Sequence, residues 1–149
     1  MGLLDKLKDA ANLVTGGAAR VTIEFPSSVL PGEDIQVRVV VTSAGSAVKS
    51  DGVFVDLRAQ ELIDVPRGMN SDHGVRTSHT YLENQIRIAS AFTLGANETR
   101  VFEADVRLPN NAQPSYSGHY CRHEWSLRGR LEALGNDPDS GFRVLHVGG

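Results

Sequence analysis

From Ile35 to Val41 every second residue is a branched apolar side chain, and Val53, Val55, Leu57 and Ala59 repeat the pattern. Gln36 and Arg38 occupy the alternate positions of the first run, and Asp56, Arg58 and Gln60 those of the second. A period of two cannot lie along one face of a helix. It specifies a strand with one buried face and one wet face, which is the mark of antiparallel sheets with a single covered side.

Further segments obey the same rule. Val21, Ile23 and Phe25 share a face, as do Phe102, Ala104, Val106 and Leu108 against Glu103, Asp105 and Arg107. Between His119 and Leu131 the odd positions carry His119, Cys121, His123, Trp125, Leu127 and Leu131. The even positions carry Tyr120, Arg122, Glu124, Ser126, Arg128 and Arg130. Phe142 to Val147 supplies a last strand, and Ile86 to Phe92 an earlier one. Pro31-Gly32, Gly95 to Glu98 and Asn136 to Gly141 are turn signals, the second read as a hairpin connection. Residues 62–79 lack alternation and contain Pro66, Gly68, Asn70 and Gly74, which predicts a long irregular loop. Many short strands without crossover helices give an all-β, antiparallel sandwich of immunoglobulin type spanning residues 18–149.

Residues 1–17 follow a different period. Leu3, Leu4, Leu7, Ala11 and Val14 fall on one stripe of a short amphipathic helix, ended by Gly16 and Gly17. So short a helix is marginal alone in water and needs a surface to lie on. Its Lys6 and Lys8 are balanced by Asp5 and Asp9 and it has no aromatic residue. That favours docking on the sandwich or on a partner over a membrane. These five apolar residues are the candidate partner-binding side chains.

Composition narrows the function further. A net charge of −3 with no basic stripe argues against nucleic acid. Cys121 is the only cysteine, so no internal disulfide can form. A lone thiol suits a reducing compartment, and no stretch approaches the ~20 apolar residues of a membrane span or the core of a signal peptide. The expected location is the cytoplasm.

No constellation demands chemistry. His119-x-Cys121-x-His123 holds three metal-ligand types, but alternate residues on a strand lie about 6.6–7 Å apart. Zinc needs its ligands at roughly 2.0–2.3 Å, so His73, His79 or His146 would have to complete such a site. The plainer reading leaves Cys121 and His123 on the core-facing side, partly covered. Cys121, Ser115 and Ser117 lack an evident base held by a third group. Asp137-Pro138-Asp139-Ser140-Gly141 has oxygens at alternate positions but lacks the later glutamate of a calcium loop. The arginines on outward faces, Arg38, Arg58, Arg122, Arg128 and Arg130, are read as cross-strand partners of Asp56, Glu103, Asp105 and Glu124. The chain is therefore expected to be no enzyme and to need no metal or cofactor.

Three segments, in order, carry a family likeness: Pro31-Gly32-Glu33; Leu94-Gly95, Val101-Phe102 and Leu108-Pro109; and Pro114-Ser115-Tyr116-x-Gly118 ahead of Trp125 to Leu127. They resemble the arrestin-like superfamily, most nearly its bacterial sporulation-control proteins, which also begin with a segment rich in Leu, Lys and small residues. The chain has length for a single domain of the N-terminal type. The resemblance implies a β-sandwich that holds other proteins without transforming them. It further implies a scaffold or oligomer that is regulatory in a bacterial stress or developmental process. The alternative is a small-ligand or metal-binding sandwich using residues 62–79 and the His119–His123 strand.

Overall fold

The structure is a computed structural model and describes residues 19–68, 73–133, 135 and 137–149 of the chain. The N-terminal segment, and with it Leu3, Leu4, Leu7, Ala11 and Val14, lies outside the described residues. Among those described there is no helix, and so none long and apolar enough to cross a membrane.

In chain order the strands are β1 (Ala19–Glu24), β2 (Ser28–Val29), β3 (Asp34–Ser43), β4 (Val48–Val65) and β5 (Val75–Ala89). Then come β6 (Phe92–Leu94), β7 (Thr99–Arg107), β8 (Tyr116–Ser117), β9 (Cys121–Ala133) and β10 (Arg143–Val147). They form a three-stranded sheet, β1-β3-β7, and a seven-stranded sheet, β2-β10-β9-β4-β5, in which β6 adds to β4 and β8 to β9. The alternating faces read from the sequence meet in one core. Val21, Ile23, Ile35, Val37, Val39 and Val41 come from the smaller sheet, and Val53, Val55, Leu57, Leu127 and Leu131 from the larger. Trp125 is buried among them and donates its indole N–H to the Gln113 carbonyl at 2.7 Å.

Pro31 and Gly32 make the turn the sequence promised. Gly32 sits at φ 82°, and the Glu33 amide donates to the Leu30 carbonyl at 3.1 Å. A proline followed by a residue at positive φ is the type II arrangement, and a side chain at Gly32 would strike Asn110 Oδ1 at 2.6 Å.

Three expectations need correction. Residues 62–79 are mostly strand: β4 continues to Val65 and β5 starts at Val75, with the pair Val65↔Val75 closing a long hairpin. The apolar period vanishes there because, among the described residues, both faces are exposed or at most half-buried, while the backbone ladder persists. Gly95 to Glu98 is no hairpin, since β6 pairs with β4 and β7 with β3. It is a corner where the chain changes sheet. The sheets are also not wholly antiparallel, because β2 runs parallel to β10 at the pairs His146↔Ser28 and Val147↔Val29. Two-residue strands have no period to read.

Candidate functional site

The larger sheet is longer than its cover. On β4 the core-facing row ends at Ala59, which is fully buried opposite Trp125. The row continues as Glu61 opposite His123 and Ile63 opposite Cys121, where the smaller sheet no longer lies over it. Ile63, Val75, Tyr81, Tyr116 and Tyr120 are all exposed at this end of the molecule. This distal surface is the candidate site.

Its base is an aromatic step built where a register shift between Ala59 and Gln60 displaces β5 against β4. Tyr81 stacks on His123, with ring centroids 5.5 Å apart, and its hydroxyl is bonded to His123 Nε2. His123 Nδ1 lies 2.9 Å from the Pro114 carbonyl, and the imidazole edge meets Trp125 at 6.0 Å. The core therefore ends on a ring with both nitrogens engaged. Burial, and after it the negative charge of Glu61, raises the Tyr81 phenol above its ordinary pKa, so it stays a neutral donor or acceptor.

At the same end, Leu62, Ile63, Asp64, Arg76, Cys121 and Arg122 help line an open groove of about 600 Å³. Arg76 pairs with Asp64 at 3.2 Å and Arg122 with Glu124 at 2.9 Å. The two segments that the ligand alternative required do meet, since Leu62 pairs with Arg122 and the Asp64 amide donates to the Tyr120 carbonyl at 2.8 Å. The metal constellation does not form. Among the described residues no three of His, Cys, Asp and Glu converge as ligands. Cys121 is exposed instead of partly covered, because its strand position lies past the end of the core.

A second cluster lies on the outward face of β4 and β9. Asp56 is fully buried there, with Arg128 Nη2 at 2.7 Å and Arg130 Nε at 3.2 Å from its Oδ2. Arg130, expected on a wet face, is itself buried. Burial is the largest single influence on its guanidinium and acts against the charge. The hydrogen bond and charge of Asp56, with help from Glu132 and Asp137, more than offset that and raise its pKa. Phe142 lies beneath Arg58 and Arg128, at 3.6 and 4.5 Å from its centroid, and Phe54 beneath Arg130 and Arg87, at 4.8 and 5.0 Å. The outward arginines are thus largely occupied by structure. Cross-strand pairing is expected of these arginines as a group, and Arg128 with Asp56 and Arg38 with Glu103, the latter at 3.0 Å, are instances of it.

Tyr81, Phe54 and Phe142 did not stand out in the sequence. The available signal was the row of strand formers Ile63, Val65, Val75 and Thr77 flanking Pro66 to Gly74, which marks a hairpin even without alternation.

No family model matches the chain, and no curated protein matches it. Among solved structures it is similar to Spo0M, the sporulation control protein of Bacillus subtilis, at 21% identity and a TM-score of 0.65. The match covers 89% of this chain and 50% of Spo0M, so the chain spans about half the length of that protein. The likeness is one of fold. The alkylpurine DNA glycosylase AlkC of Pseudomonas fluorescens matches at 15% identity and a TM-score of 0.48, over 99% of this chain and 35% of its own. A β-glucosidase from Listeria innocua matches at 13% identity and a TM-score of 0.37, over 88% of this chain and 16% of its own. Neither of these two carries an argument.

Proposed function

We propose that this Spo0M-like chain is a non-enzymatic protein-interaction module, an arrestin-like β-sandwich that works in the cytoplasm of a bacterium as a regulatory scaffold. The observation that carries the reading is the overhang of the larger sheet: the row that is core at Val55, Leu57 and Ala59 continues uncovered as Ile63, with Val75, Tyr81 and Tyr116 exposed around it. Clustered apolar and aromatic side chains on an otherwise polar surface mark contact sites for other proteins. The resemblance of Pro31-Gly32-Glu33 and Pro114 to Gly118 to arrestin-like segments supports the same reading, as does the likeness to a sporulation control protein. Recognition there is by apolar contact and strand pairing, with no bond made or broken.

The test is capture of bacterial partners by the wild-type chain, Ile63→Asp and Tyr116→Ser, each checked for an unchanged thermal unfolding midpoint. A partner retained by the wild type and lost by both variants supports the reading. Partners held equally by all three exclude the distal surface. A hydrolase reading would need activity that disappears in Cys121→Ser or Ser117→Ala.

A further inference from the structure

Among the described residues, β5 is an edge strand of the seven-stranded sheet. β4 satisfies one side of it, and alternate residues on the other side present unpaired N–H and C=O groups. Register shifts at Ala59/Gln60 and at Val53/Phe54 bracket an unbroken run from Leu82 to Arg87. Within it, the pairs Arg58↔Glu83, Asp56↔Gln85 and Phe54↔Arg87 put Glu83, Gln85 and Arg87 on the outward face. Ala59↔Leu82, Leu57↔Asn84 and Val55↔Ile86 put the alternate residues on the core side.

Two charges on this edge have no ionic partner among the described residues. Glu83 makes no ion pair among the described residues. Arg87 gives Nη1 to the Asp51 carbonyl at 3.2 Å and lies over Phe54, which leaves most of its five donors unused. Four residues along one strand separate the two by about 13 Å, so they cannot meet within the chain.

They can meet between chains. We propose that a second copy of this chain pairs antiparallel along β5, with the two-fold axis through Gln85. Directly opposed residues of an antiparallel pair share a face, so only an axis on a residue position keeps the core rows in line across this run. With the axis on Gln85, Glu83 opposes Arg87 twice, Asn84 opposes Ile86, and the two Gln85 amides meet. An axis on Glu83 would oppose two carboxylates, and one on Arg87 two guanidiniums. An axis on Asn84 would set Glu83 against Gln85 and leave the charges unmatched. The self-complementary patch makes a closed, isologous dimer and one continuous sheet through both copies. A net charge of only −3 per chain offers little repulsion against it. This inference specifies the self-association side of the interaction reading above, on a surface separate from Ile63 and Tyr116.

The experiment uses the full chain carrying Cys121→Ser, with Gln85→Cys introduced and mild oxidation followed on a non-reducing gel. Opposed residues lie roughly 4.5–5.5 Å apart at Cα, within disulfide reach. Glu83→Cys in the same background is the control, because that position faces Arg87 and not itself. Rapid linkage of Gln85→Cys with little linkage of Glu83→Cys is the expected result. In light scattering over a dilution series, Glu83→Arg and Arg87→Glu should each weaken dimerisation by roughly tenfold, and the double exchange should restore it. A chain that stays monomeric, equal linkage at both positions, or a double exchange that restores nothing overturns the proposal. None of those results touches the capture test on Ile63 and Tyr116, so the two readings fail separately.

Discussion

Asp56 on β4 and Arg130 on β9 are directly joined on the outward face of the larger sheet, Arg130 Nη2 reaching Oδ1 at 3.3 Å and Nε reaching Oδ2 at 3.2 Å. The carboxylate is fully buried although, among the described residues, no second sheet covers that face. Arg128 and Arg130 hold it and themselves lie over the rings of Phe142 and Phe54, so the outward side of the sheet holds a small polar cluster of its own.

The consequence is a strong dependence on Asp56. Asp56→Ala leaves two guanidiniums in a partly closed site without their carboxylate, and removal of one partner from a buried ionic group costs about 3–5 kcal/mol. Urea unfolding at neutral pH should show that loss with an unchanged slope. A loss below about 1 kcal/mol would mean that the cluster opens to water and that the arginines find solvent at little cost.

Gly129 tests the closeness of the two layers. A Cβ there would lie 3.2 and 3.3 Å from the two methyl carbons of Val39 and 3.5 Å from Cβ of Ile23. Val39 and Ile23 are buried and β-branched, so neither can swing aside. Gly129→Val should destabilise the fold by about 1–3 kcal/mol through overpacking, and Val39→Ala in the same chain should recover part of it. Thermal and urea unfolding of the single and double variants measure both. Full stability of Gly129→Val would show that the sheets can separate locally.

The parts of this fold legible in the sequence are those where one face is covered. Ile35, Val37, Val39 and Val41, and Val53 to Ala59, read correctly because burial on one side forces alternation. The hairpin beyond Ala59 did not, since its ladder is held by backbone groups that carry no side-chain signature. Gly95 to Glu98 has the chemistry of a hairpin turn, yet which sheet a strand joins is decided by distant partners, Ser50 for Phe92 and Thr42 for Thr99. Arg130 looked solvated because the side chains that bury it come from Phe54 and Asp56, more than seventy residues earlier in the chain. The candidate surface was half visible: residues 62–79 and the His119–His123 strand were paired in advance as a site, but Tyr81, which seals its base, was not.

Glu98 at the sheet-changing corner gives a pH test. Its Oε2 accepts the Gly95 amide at 2.6 Å and its Oε1 accepts Arg100 Nε at 2.8 Å. The backbone hydrogen bond first, and Arg100 after it, hold the carboxyl below its ordinary value of 4.5. A carboxylate with a lowered folded pKa contributes stability that is complete above the unfolded value and is lost as pH falls through the folded one. The gap in unfolding midpoint between wild type and Glu98→Gln should therefore be widest at neutral pH. It should begin to close below about 4.5 and vanish under the folded pKa. Asn97, held at φ 55° in the same turn, and the Ser43 hydroxyl that accepts the Glu98 amide at 3.0 Å, are untouched by the substitution. A gap that stays constant through this range would assign the corner's stability to those neutral contacts and not to the charge of Glu98.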